Sequence, residues 1–150
     1  MKVQEGLLIL NGVDMAEYGV FLCETAANAN TNYDALMKPS KTKLPVSVTY
    51  QEKNGEELPE NLGELKFEAR DIPLKLAIVG ETRQQWFSRY NALMELLRSG
   101  WIDMEVPELS RVFHVYLKDV SAYSQLTVLS HTGQQIATMS IVLREPKPLF

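Results

Sequence analysis

Apolar residues fall into short runs whose spacing is two along most of the chain and three-and-four in one stretch, and this switch of period predicts the order of elements. In residues 6–15 two apolar stretches flank Asn11-Gly12, a pair that accepts the positive φ of a two-residue hairpin turn. Residues 18–23 follow as an extended run rich in aromatic and β-branched types. Residues 44–50 alternate and read as a strand, with Pro45 near its start where a missing N–H is tolerated. Two more extended pieces, 65–69 and 72–79, surround Arg70-Asp71, and in the second Leu74, Leu76 and Ile78 share one face.

The helical period occupies residues 82–98, where Trp86, Phe87, Tyr90, Leu93, Met94 and Leu97 recur at three- and four-residue spacing. Thr82 and Gln85 fit a capping box at its start, and Gly100 suits a left-handed turn after its end. Period two then returns at 101–106, 112–120, 126–129 and 135–143, the last placing Ala137, Met139, Ile141 and Leu143 on one side. Pro146 and Pro148 end the pairing and leave residues 147–150 as a tail able to extend to a neighbour. The expectation is one domain over residues 1–150 of α+β class. It is mostly antiparallel β, a split β-barrel or sandwich-like sheet of about eight strands, with one amphipathic helix.

Two segments break the pattern. Residues 25–43 are rich in Ala, Asn, Thr and Ser and end in Lys38, Lys41 and Lys43; they read as a long loop of net charge +2. Residues 51–64 form an acidic loop of net charge −4, equal to the net charge of the whole chain, so the remainder is balanced. Such a balance argues against a basic nucleic-acid domain, and the three lysines lack the interleaved aromatics of a stacking platform. If the basic segment of one subunit meets the acidic segment of another, opposite charges would register the contact.

The search for chemistry is sparse. Glycine-rich phosphate loops and the spacings of zinc or calcium sites are absent, so no cofactor or metal is expected. The single cysteine, Cys23, excludes an internal disulfide and reads as a buried hydrophobe inside an apolar strand. His114 shares a strand face with Val112 and Tyr116, and His131 lies in a turn; a small enzyme or ligand-binding domain would have to unite them with the acidic face of Asp103 and Glu105. Half-solvated strand positions account for His114, Asp103 and Glu105, a turn accounts for His131, and no catalytic residue is assigned. Residues 7–10 are too short an apolar run for a signal-peptide core or a membrane span, which leads to the expectation of a soluble intracellular product without membrane association.

The order of elements resembles the N-terminal domain of phage distal tail proteins over nearly the whole chain. It is carried by residues 10–15 (Leu-Asn-Gly-Val-Asp-Met), Tyr18-Gly19-Val20, the long loop, Arg70-Asp71-Ile72-Pro73-Leu74, the helix running through residues 93–100 and the final strands to Pro146. The resemblance implies a split β-barrel flanked by a helix and assembled as a homo-oligomeric ring, typically hexameric. Such a ring sits where the tail tube of a phage or prophage meets the baseplate or tip. It implies a virion structural protein rather than an enzyme, made in the bacterial cytoplasm, with tail tube, tape-measure and tail-tip proteins as neighbours. A tail-tube-like or tail-completion protein is the related alternative. A long loop or arm often engages the next subunit in that family, which places Tyr33, Leu36, Met37, Lys38, Lys41 and Lys43 at the subunit interface. With no second, carbohydrate-binding-like domain after the barrel, host-receptor binding is not expected of this chain.

Overall fold

A computed structural model describes residues 4–24, 26–45, 47–127 and 133–148. Asn11 and Gly12 adopt φ of 49° and 80°, so the turn is the mirror-image type whose twist suits a hairpin, and β1 (Ile9–Leu10) pairs antiparallel with β2 (Val13–Asp14). Asn11 also locks the hairpin to the next strand, its Oδ1 accepting from the Asp103 N–H at 2.8 Å. A 3-10 turn, Met15–Tyr18, follows, with the Asp14 carboxylate accepting from the Ala16 N–H at 3.0 Å. Gly19 ends that turn at φ 63°, and a Cβ there would lie 2.2 Å from the Val79 carbonyl oxygen. Only glycine therefore lets β3 (Val20–Leu22) run directly against β4 (Arg70–Gly80).

The remaining strands are β5 (Ile102–Val106), β6 (Arg111–Gln125) and β7 (Gln135–Glu145). They form one seven-stranded antiparallel sheet in the order β2-β1-β5-β6-β7-β4-β3. Strand β6 is shared between its two halves. Residues 111–115 pair with β5, whereas residues 116–125 pair with β7 through register shifts between Leu117 and Asp119 and between Val120 and Ala122. Bulges of this kind bend a strand and raise its twist, and the sheet curls into a barrel-like form, as the α+β, mostly antiparallel expectation requires.

The buried face follows period two with little exception: Ile102, Met104 and Val106 on β5, Phe113 and Val115 on β6, and Ala137, Met139, Ile141 and Leu143 on β7. The longer helix, Arg83–Leu97, buries Trp86, Leu93, Met94 and Leu97 against this face. Thr82 Oγ1 accepts from the Gln85 N–H at 3.1 Å, the cap that the sequence anticipates, while Gln85 Oε1 reaches back one residue further than a capping box does and accepts from the Glu81 N–H at 2.8 Å. Phe87 departs from its expected place on the buried stripe and is 41% exposed, edge-on to Trp86.

Three stretches differ from the sequence reading. The segment 25–43 is not loop throughout, because residues Thr31–Met37 form a helix, named α1 here, so that Arg83–Leu97 becomes α2. Residues 44–45, 47–50 and 65–69 are not ladder strands and, among the described residues, make the isolated bridges Val48↔Glu57 and Thr42↔Phe67, with Leu44, Val48, Tyr50 and Leu65 left exposed. Residues 126–127 lie beyond β6, and the rest of the strand expected at 126–129 falls outside the described residues, as do His131, Leu149 and Phe150. Among the described residues no helix is long and apolar enough to cross a membrane.

Candidate functional site

Between Lys41 and Glu68 the chain leaves the sheet as an arm. Its root is closed by two backbone hydrogen bonds, the Lys43 N–H to the Lys66 carbonyl and the Glu68 N–H to the Lys41 carbonyl, both at 2.7 Å. Farther out, Val48 and Glu57 exchange N–H···O bonds of 3.0 and 2.6 Å, and Gly55 takes φ 75° near the tip. No described residue between 44 and 66 is buried. Leu44 is 85% exposed, and Val48, Tyr50, Leu58, Leu62 and Leu65 lie between 38% and 50%. Isolated exposed apolar residues are ordinary, but six on one protruding segment mark a surface built to be covered.

The arm springs from α1, and two polar side chains explain why this Asn- and Ala-rich segment holds a helix there. Asn32 is buried and imitates a strand residue beside β4, with its Oδ1 accepting from the Lys75 N–H at 2.7 Å and its Nδ2 donating to the Cys23 carbonyl at 2.7 Å. At the other end Arg70 donates from Nε to Glu145 Oε1 at 2.8 Å, from Nη2 to the Leu36 carbonyl at 3.1 Å, and from Nη1 to the Lys38 carbonyl. Its guanidinium lies 5.6 Å from the Phe113 ring centroid. Arg70 thus satisfies carbonyls that a short helix leaves without partners and ties the arm's root to the core.

Glu24 caps the N-terminus of α1, its carboxylate accepting from the Thr31 N–H at 3.0 Å, the Asn32 N–H at 3.1 Å and the Thr31 hydroxyl. The hydroxyl bond, followed by the backbone bonds, holds Glu24 below its ordinary value of 4.5. A depressed folded-state value stabilises the helix fully above the ordinary value and loses that contribution as pH falls through the folded one. The Thr31 and Asn32 amide shifts are therefore expected to titrate together below about pH 4.5, and Glu24→Gln, which keeps an acceptor but not the charge, to abolish that titration.

Between α1 and the root lies an open cleft of about 970 Å³ bordered by Lys38, Ser40, Lys41, Arg70, Asp71 and Arg144, among others. Asp71 is engaged by Lys118 Nζ and Arg144 Nη1, each at 2.7 Å, and these two bonds hold its carboxyl below the usual range. The residues expected at a subunit interface divide here. Met37 is 42% exposed, and Lys38, Lys41 and Lys43 are exposed at the root. Tyr33 is half-buried beside Glu108, and burial followed by that carboxylate raises its phenol. Leu36 is wholly buried and packs in the core of its own chain, three residues from Tyr33 on the inner side of the helix.

The residues weighed for catalysis lie elsewhere. His114 Nδ1 is 2.8 Å from Asp103 Oδ1, and its ring stacks on Trp101 at 4.3 Å on the open face of β5 and β6, with both members of the pair more than half exposed. None of the three borders the cleft. Glu105 is exposed on the same strand face, and among the described residues no group of His, Cys, Asp and Glu could hold a metal ion. Cys23 is half-buried rather than fully buried, and desolvation pushes its thiol up, away from the thiolate form a nucleophile needs.

No protein-family model matches the chain, and no curated protein matches its sequence. In three dimensions it is similar to the crystal structure of SPP1 Dit (gp 19.1), described as a paradigm of the hub adsorption apparatus in phages that infect Gram-positive bacteria. The TM-score is 0.52 at 14% sequence identity, over 93% of this chain and 50% of that one. The chain therefore spans about half the length of that protein, and what the likeness establishes is a shared fold.

Proposed function

We propose that the chain is a structural subunit of a phage or prophage tail, assembled as a homo-oligomeric ring, hexameric by family resemblance, where the tail tube meets the baseplate or tip. The observation that carries this reading is the arm: six exposed apolar side chains on a segment that its own sheet does not cover, set on a fold similar over 93% of the chain to a phage hub protein. Burial of apolar surface drives association, and an arm that cannot bury its side chains at home buries them on a neighbour. Met37, Lys38, Lys41 and Lys43 flank the arm's root and complete the surface offered to that neighbour, while Tyr33 and Leu36 hold α1 in place behind them. Tail tube, tape-measure and tail-tip proteins are the partners this role supplies. The product resides in the virion tail after assembly in the bacterial cytoplasm, and the role calls for no catalysis.

Light scattering of the purified chain across a concentration series tests it. A discrete mass near six subunits is expected, and imaging of that species is expected to show a central channel. A strict monomer at every concentration would remove the support for a self-assembling ring.

A further inference from the structure

An asparagine followed by glycine can lose its side-chain amide without an enzyme, because glycine has no side chain to keep its backbone nitrogen from the asparagine Cγ. The chain holds two such pairs, Asn11-Gly12 and Asn54-Gly55, and every other asparagine precedes a residue with a side chain. Both pairs are exposed, and a Cβ on either glycine would meet nothing within 4 Å, so neither exposure nor crowding separates them. Hydrogen bonding does. Asn11 is held at three points: its N–H donates to the Asp103 carbonyl at 3.0 Å, its Oδ1 accepts from the Asp103 N–H at 2.8 Å, and its Nδ2 donates to the Trp101 carbonyl at 3.4 Å. Asn54 lies in the arm, in the loop that the Val48↔Glu57 bridge closes. There the Lys53 N–H donates to the Tyr50 carbonyl at 3.3 Å and the Lys53 ammonium pairs with Glu57 at 3.2 Å, but these contacts stop short of the next two residues. Among the described residues neither the Asn54 side-chain amide nor the Gly55 N–H has a hydrogen-bond partner.

We infer that Asn54 is a site of spontaneous deamidation in the folded chain and that Asn11, in the same dipeptide, is protected by the fold. The Gly55 backbone nitrogen gives its proton to water and attacks Asn54 Cγ. A bond forms between that nitrogen and Cγ, the Cγ–Nδ2 bond breaks, and Nδ2 takes up a proton and leaves as ammonia, closing a five-membered succinimide. Water then opens the ring. Cleavage of the new N–Cγ bond gives an ordinary aspartate at position 54, and cleavage of the original peptide bond gives an isoaspartate whose chain runs through the former side chain. One water is consumed and one ammonia released, with no oxidation or reduction. Ring closure requires the asparagine side chain to swing over the following peptide nitrogen. At Asn11 that motion breaks the bonds to residues 101 and 103 and the mirror-image turn they hold, whereas at Asn54 it breaks none. Each event adds one negative charge to the stretch 51–64, which already carries −4, and the isoaspartate route also lengthens the backbone of the arm by one methylene. The site stands on the chain's own chemistry and is independent of the ring reading.

Incubation of the whole chain in mildly alkaline buffer, followed by peptide mapping in a mass spectrometer, tests it. In the folded chain the amide-to-acid mass change is expected at position 54 at least about tenfold faster than at position 11. Labelling with an isoaspartyl methyltransferase is expected to mark the peptide that contains position 54. The same incubation in guanidinium chloride, where the bonds to Asp103 and Trp101 are gone, is expected to bring the two rates close together. Asn54→Gln, whose longer side chain would have to close a six-membered ring, is expected to abolish the early acidic species on isoelectric focusing, and circular dichroism checks that this variant is folded. Conversion at position 54 no faster than at position 11 in the folded chain overturns the inference. So does a ratio of the two rates that is the same in buffer and in denaturant, because the fold would then protect neither asparagine over the other.

Discussion

Trp86→Ala is expected to lower stability by about 3–5 kcal/mol, measured as a shift of the urea midpoint at unchanged slope. The side chain is 2% exposed and stacks on Tyr90 at 5.3 Å between centroids, with planes 12° apart. Its indole N–H donates to the Ile78 carbonyl at 3.1 Å. The helix also sits unusually close to the sheet here: a Cβ on Gly80 would fall 2.7 Å from Trp86 backbone atoms. So close an approach leaves little freedom to collapse around a lost indole, which places the expected loss in the upper range for aromatic truncation. Trp86→Phe separates the two contributions, because it keeps much of the ring and loses the donor; about 1 kcal/mol is expected for the lost hydrogen bond to the Ile78 carbonyl, which stays within the β4–β7 ladder.

A second large effect is expected at Arg70. Arg70→Ala leaves Glu145, with its side chain only 4% exposed, buried without its cation, a change that typically costs about 3–5 kcal/mol. The double change Arg70→Met/Glu145→Leu removes both charges and, as a pair, is expected to be close to neutral. It does not restore the donors to the Leu36 and Lys38 carbonyls, so a residual loss of about 1–3 kcal/mol is expected, concentrated in α1. Amide exchange resolves this: after the double change, protection falls in residues 31–38 more than in β4 or β7. Unchanged protection in all three would show that Arg70 acts through the ion pair alone.

What could be read from the sequence follows how local the determining forces are. The Asn11-Gly12 turn, the Thr82 cap and the alternation of β7 depend on neighbours within a few residues, and all three stand in the structure as read. Helix α1 was missed because its cap, Glu24, lies outside the helix at a distance no capping pattern uses, and because Asn32 is held by β4, forty-three residues away. The spacing of Tyr33, Leu36 and Met37 at zero, three and four was its one visible signal. Residues 44–50 show the converse error. Their alternation is real, but alternation reports a face meant to be covered and does not say by which chain. Pro73 stands inside the long β4 and is tolerated there for a reason only the pairing reveals: β3 pairs with Leu76–Ile78, so Pro73 lies where β4 has a single strand neighbour. The cleft arises from tertiary placement, and no local pattern encodes it.

The sheet order sets a schedule for synthesis on the ribosome. Strand β7 is the last of the described strands to be made, yet it lies between β6 and β4 and, among the described strands, joins by pairing the hairpin side of the sheet to the side that carries β3. Before Gln135–Glu145 has emerged, β4 lacks its long partner and Arg70 lacks Glu145. The root of the arm therefore becomes rigid only after β7 has been inserted, a late, long-range event of the kind that makes folding slow. Until then the contacts that hold the arm's root are missing, so a nascent or truncated chain presents a loose arm and an unformed cleft.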